Sequence, residues 1–169
     1  MNEQRFTTRQ LVLMAMLIAV HIVLSRFLSI SAWNMKIGFA FIPVLLAAVY
    51  MGPLQAAVVG ALGDFIGALL FPIGAYFAGF TATAFLTGLL YGVFLHKKQN
   101  SALIIGAVIS TEIIGSLLLN TLWISILYGA PFFPLMATRV FQVAIMGVLE
   151  FLVIRAITGV LIKVQHVQC

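Results

Sequence analysis

The stretch Arg26-Phe27-Leu28-Ser29-Ile30-Ser31-Ala32-Trp33-Asn34-Met35-Lys36 holds two cations, an indole and a primary amide in one break between apolar segments. Arginine can grip a carboxylate through two parallel N–H groups, an indole can stack on flat rings, and an amide offers both a donor and an acceptor. Further along, Phe71, Tyr76, Trp123, Tyr128, Phe132 and Phe133 offer ring faces, Asn120 and Gln142 offer amides, and Arg139 adds a cation. Counted from the ends of the apolar segments at about 1.5 Å per residue, Arg26, Asn120, Trp123, Arg139 and Gln142 fall toward one side, the outer one. Cations, amides and rings gathered there suit an anionic heteroaromatic ligand. For any single residue, an aromatic belt at the membrane interface with snorkelling cations is as good an account. The preference for a ligand comes from the set.

The remaining ionisable groups lie within apolar segments, where each is costly unless paired or wetted. Asp64, Glu112 and Glu150 fall at mid-depth and Arg155 nearer the cytoplasm. Glu112 on the fifth segment stands at a height compatible with Glu150 or Arg155 on the sixth, and an interhelical ion pair is expected ahead of a proton relay. Asp64 sits among Gly60, Gly63 and Gly67, which permit close helix approach, so a structural role stands slightly ahead of ligand contact. His21 is expected as a hydrogen-bonded interior residue.

Catalytic and metal-binding constellations are missing. His21, His96 and His166 are far apart, without His-Glu-x-x-His spacing, and the single cysteine is Cys169. Nor does a Gly-rich phosphate loop end in Lys-Ser/Thr. The chain is expected to be no enzyme and to need no cofactor; if it moves anything uphill, another chain must hydrolyse the nucleotide.

These residues must be positioned by membrane helices. A chain of 169 residues that is 63% hydrophobic and 8% charged has too little polar surface for a soluble domain. A spanning helix takes roughly 20 residues, so about six fit with short connections. Polar, Gly or Pro breaks delimit helices near 7–27, 37–50, 53–71, 75–95, 101–127 and 134–163. The expected fold is an all-α integral membrane protein, one six-transmembrane-helix bundle over residues 1–169, in which the second helix is short and enters the membrane only partly. The first apolar stretch follows Arg5 and Arg9 but lacks a small-x-small cleavage site, so a retained helix is expected.

The net charge of +5 is spread singly or in the pair Lys97-Lys98, which fits anionic lipid better than nucleic acid. With the N-terminus inside, Arg5, Arg9, Lys97, Lys98 and Lys163 fall inside, against Arg26, Lys36 and Arg139 outside. Both termini are therefore expected in the cytoplasm. On the first helix, Ala15 and Ala19 share one face a turn apart, a small-residue pattern that lets another helix come close.

The chain resembles the substrate-binding S components of energy-coupling factor vitamin transporters, most closely the folate-specific ones. The likeness covers nearly the whole chain: Ala15-x-x-x-Ala19, the loop from Arg26-Phe27 to Trp33-Asn34-Met35-Lys36-Ile37-Gly38-Phe39, Phe41-Ile42-Pro43, Gly63-Asp64-Phe65-Ile66-Gly67, Asn120-Thr121-Leu122-Trp123 and Arg139. The folate assignment rests on Trp33 to Pro43 with Asn120 to Trp123. The resemblance implies a multi-pass protein of the bacterial cell membrane that captures a vitamin at its outer end. It also implies delivery through a transmembrane coupling subunit and two ATP-binding subunits, with Ala15 and Ala19 on the face that meets the coupling subunit. On this likeness Arg26, Lys36 or Arg139 would hold the glutamate carboxylates of folate, and Trp33, Phe71, Tyr76 or Trp123 would stack on its rings. Asn34, Asn120, Gln142 or Asp64 would pair with the pterin edge.

Other readings predict different behaviour. Pantothenate, thiamine or riboflavin would be an alternative vitamin; riboflavin has no carboxylate for the outer cations and pantothenate no ring to stack. An autonomous proton-coupled carrier would run through Asp64, Glu112 and Glu150, and a membrane enzyme would use Asp64 and Glu112 as acid and base.

Overall fold

The computed structural model describes residues 7–32 and 35–167, with 30–32, 35–37 and 160–167 placed by backbone alone. Helix α1 runs Thr8–Arg26 and is followed by an antiparallel hairpin, β1 Ser29–Ala32 and β2 Met35–Gly38, in which Ile30 faces Ile37 and Ser31 faces Lys36. Then come α2 Phe41–Tyr50, α3 Pro53–Leu70, α4 Ala78–Leu95, α5 Ser101–Tyr128 and α6 Phe132–Val167. All these helices but α2 are long and apolar enough to cross a membrane. Large apolar side chains face outward along them, among them Val12, Val93, Phe141, Val148 and Leu152, as in a protein whose solvent is lipid. The fold is the helical membrane bundle that the composition implies.

Local chemistry fixes the ends. Thr7 N–H donates to Gln10 Oε1 at 3.1 Å and so opens α1. The Asn100 side chain accepts from the N–H groups of Ala102 and Leu103 at 2.9 and 3.1 Å, capping α5. Gly52, with φ of 111°, makes the sharp reversal from α2 into Pro53, the first residue of α3.

Three boundaries differ from the sequence expectation. The second helix begins at Phe41 rather than 37, because residues 35–38 pair as a strand with Ser29–Ala32. The alternation Ser29-Ile30-Ser31 carries the period-two signal of a strand. The ten residues of α2 span about 15 Å, half of a hydrocarbon layer, and the hairpin continues from its N-terminal end. The fourth helix starts at Ala78 rather than 75, after a loop through Pro72 to Phe77, and α6 continues past 163 to Val167.

Helices α3 and α4 pack closely through small residues: a Cβ on Gly88 would run into the Ala56 backbone, and one on Gly92 into Pro53. That contact belongs to a solid half of the bundle, where Leu45, Leu95, Ile104 and Ile154 are buried around the end of α2 and the start of α5. Toward the hairpin the helices part.

Candidate functional site

The space between the parted helices is a cavity of about 630 Å³, within the range of small-molecule sites. It is lined from α1 by His21 and Arg26, from α3 by Asp64, and from the loop before α4 by Tyr76 and Phe77. Phe80 and Thr83 of α4, Glu112, Ser116 and Asn120 of α5, and Arg139, Gln142 and Glu150 of α6 complete it.

At the hairpin end a polar chain links three helices. The Arg26 guanidinium donates to the Asp64 backbone carbonyl at 3.3 Å and lies 3.6 Å from its carboxylate. Thr81 Oγ1 donates to Asp64 Oδ2 at 3.0 Å and is 3.2 Å from the Tyr76 hydroxyl. Gly67 leaves room for this guanidinium, since a Cβ there would sit 3.0 Å from Arg26 Nε. Beside it, His21 is buried with Nδ1 2.9 Å from the Ala40 carbonyl, its ring against Gly63. Asp64 thus both lines the cavity and steadies Arg26.

On the α5 wall, Glu112, Ser116, Asn120 and Ile124 follow at intervals of four and all line the cavity. In a plain α-helix each such step drifts by about 40°, which would carry the row off the wall. Residues Thr111–Leu119 instead wind as π-helix, whose i→i+5 bonds turn the chain less per residue and keep the row facing inward. Across from it, Arg139 is 4% exposed, and its Nε and Nη1 have no hydrogen-bond partner. Deeper still, the Tyr91 hydroxyl donates to Glu150 Oε2 at 2.7 Å.

Of the candidate ligand-binding residues singled out in the sequence, Arg26, Asp64, Tyr76, Asn120, Tyr128, Arg139 and Gln142 converge on this cavity. Trp123 does not line it. Its Nε1 donates to Thr83 Oγ1 at 2.9 Å and its ring lies 5.5 Å from that of Phe77, so it stands behind two residues that do. Gly79 makes this possible, because a Cβ there would overlap the indole. Phe71 also lies off the cavity, edge-on to Phe27 at 5.2 Å. Trp33 and Asn34 lie outside the described residues, as does the side chain of Lys36, whose backbone pairs with Ser31.

Glu112 does face a cation of the sixth helix, but it is Arg139, whose charge acts on the carboxylate across the cavity, rather than Arg155. Arg155 points away, exposed, with its guanidinium 6.0 Å from the Phe151 ring. Phe77, Phe80, Thr83 and Ser116 are among the lining residues that sequence reasoning did not assign to a site, and Glu112 and Glu150 entered it only through the carrier and enzyme alternatives; the interval of four from Glu112 to Asn120 was the available signal.

The family model described as "ECF transporter, substrate-specific component" matches residues 9–163. The chain belongs to that family. Similar proteins include the folate transporter FolT of Clostridium novyi, 41% identical over 85% of this chain and 84% of that protein. The folate transporter FolT of Leuconostoc mesenteroides subsp. mesenteroides is 38% identical over 73% of this chain and 68% of its own. A crystal structure of FolT bound with folic acid superposes with a TM-score of 0.85 at 34% identity, covering 89% of this S component and 93% of that chain. The S component of another bacterial ECF transporter shares the fold, with a TM-score of 0.58 at 22% identity.

Proposed function

We propose that this S component captures folate from outside the cell and releases it inward with the help of a transmembrane coupling subunit and two ATP-binding subunits. The observation that carries the reading is the likeness, in sequence and in fold, to a FolT that holds folic acid. The lining chemistry supports it. Arg26, steadied by Asp64, is the cation at the mouth and receives a carboxylate of the glutamate tail. Tyr76, Phe77 and Phe80 flank the benzoyl ring, while Asn120, Gln142 and Arg139 reach the polar edge of the pterin. A ligand filling such a hollow displaces water from its walls, so each polar contact counts for more than it would at a surface.

The chain lies in the bacterial cell membrane with both termini in the cytoplasm, which puts the hairpin and the mouth outside. Ala15 and Ala19 are exposed on α1, opposite the inward-facing Met14, Leu17 and His21, and form the contact with the coupling subunit. The absence of a nucleotide-binding loop leaves ATP hydrolysis to the partners.

Titration calorimetry on the purified chain with folic acid, riboflavin, thiamine and pantothenate tests the substrate. Folic acid is expected to bind tightly and the others not at all; tight riboflavin binding without folic acid binding rejects the reading.

A further inference from the structure

The hairpin continues from the end of a helix that reaches only part-way through the hydrocarbon layer, and it has little to hold it there. Two strands of four residues are marginal alone, and an open strand edge finds no water in lipid. Its position beside the cavity, which Gly38 and Ala40 line, must therefore come from ties at its root. There Ser29 of β1 faces Gly38 of β2, so closely that a Cβ on the glycine would lie 2.7 Å from Ser29 Cβ. The root is one packed unit.

Both of its strands are tied to one face of α1. On the β1 side, Ser29 Oγ donates to the Ser25 carbonyl at 2.6 Å, filling an acceptor that the last turn of a helix leaves open. On the β2 side, His21 Nδ1 lies 2.9 Å from the carbonyl of Ala40, the residue just before α2. A carbonyl only accepts, so Nδ1 carries the proton and donates. His21 and Ser25 stand one turn apart on α1, 8% and 4% exposed, and so meet the two sides of the root from neighbouring positions. Helix α3 leaves the slot that lets the imidazole reach: a Cβ on Gly63 would lie 2.5 Å from His21 Cδ2 and 2.9 Å from Cγ. The bond joins residues 19 apart, and the whole hairpin lies between them.

We infer that His21 is a positioning residue: its Nδ1 bond to Ala40, together with the Ser29 bond to Ser25, seats the hairpin on α1 and thereby sets how fast ligand enters and leaves the cavity. The seating follows from these contacts, while its effect on ligand exchange rests on the folate reading.

Hydrogen exchange at residues 35–42 of the purified chain in nanodiscs, without ligand, reads the seating, and stopped-flow binding of folic acid reads its consequence. His21→Leu fills the slot but cannot donate. Exchange at 35–42 is expected to rise roughly 3- to 10-fold, the worth of one hydrogen bond, with the association and dissociation rates of folic acid rising together by a similar factor. His21→Asn, whose amide nitrogen hangs from Cγ as Nδ1 does, should bring exchange and both rates most of the way back. Ser29→Ala, at a residue that does not line the cavity, should loosen the same segment. Unchanged exchange in His21→Leu overturns the proposal. A rise in dissociation alone overturns it too, since the ring would then be a direct ligand contact, and failure of asparagine to restore protection assigns His21 to packing instead. Should the leucine variant not fold, Ser29→Ala decides on the same two readouts. No folic acid binding by the unsubstituted chain removes the folate reading and leaves the exchange comparison to judge the seating.

Discussion

The two halves of this bundle solve opposite problems with different residues. Around the end of α2 and the start of α5, Leu45, Leu95 and Ile154 are fully buried, and α3 and α4 touch backbone to backbone at Gly88 and Gly92. Toward the hairpin the helices enclose about 630 Å³ instead, and polar links hold them apart at fixed spacing: Arg26 to Asp64, Thr81 to Asp64, and Trp123 to Thr83. In lipid, apolar surface gains little by leaving the acyl chains, so a helix contact must come from close packing or hydrogen bonds. The solid half uses the first and the hollow half the second, which lets the site keep its shape without a filled interior.

Truncation in the solid half should show the largest effect on stability. Leu45→Ala opens a void where no neighbour can collapse and is expected to destabilise the fold by about 2–5 kcal/mol. Thermal unfolding in detergent should record the loss, while folic acid affinity of the folded fraction stays within a factor of two or so. A variant of unchanged stability but lost affinity would erase the distinction between the halves.

In the hollow half the ordering reverses. Arg26→Ala is expected to weaken folic acid binding by about 2–4 kcal/mol, since it removes the cation proposed to face a carboxylate and leaves Asp64 with the Thr81 hydroxyl but no cation. Calorimetry of the variant decides; unchanged affinity means that Arg26 serves only to link α1 to Asp64 of α3.

Smaller, and more telling about how the cavity is held, is Trp123→Phe. The indole touches no ligand space, yet its Nε1 bond fixes Thr83. Loss of that bond should lower folic acid affinity by about 1 kcal/mol. Thr83→Ala should lower it similarly, and the double variant should fall short of the sum because both remove one link. Full additivity in calorimetry would show that Trp123 acts elsewhere.

How much of this was legible in the sequence differs between the same two halves. Long apolar runs and their Gly and Pro breaks mark the bundle, and depth along each run groups Arg26, Asn120, Arg139 and Gln142 on one side. What depth cannot give is the direction of a side chain around its helix. Trp123 and Asn120 sit at similar heights, and the π-helical turns before them decide that Asn120 faces the cavity and the indole does not. An i→i+5 stretch has no composition of its own, and only the row Glu112, Ser116, Asn120 hints at it. The hairpin was hidden for a related reason, as the polar residues that mark a break equally mark an edge strand, and Ser29-Ile30-Ser31 is too short for its alternation to stand out.

The outer face of α1 belongs to neither half, and there the expected effect on the chain itself is smallest. Ala15 and Ala19 are exposed while Met14 and Leu17 fill the interior, so Ala15→Trp adds bulk only on the side facing lipid. Folic acid affinity and thermal stability should both stay within about 0.5 kcal/mol, as for substitutions away from packed features. Uptake of labelled folic acid by cells carrying the whole transporter should nevertheless be lost, because a bulky ring prevents the close approach that a small-residue face allows. Loss of binding by Ala15→Trp would place this face inside the fold's own packing, and normal uptake would move the partner contact to another helix.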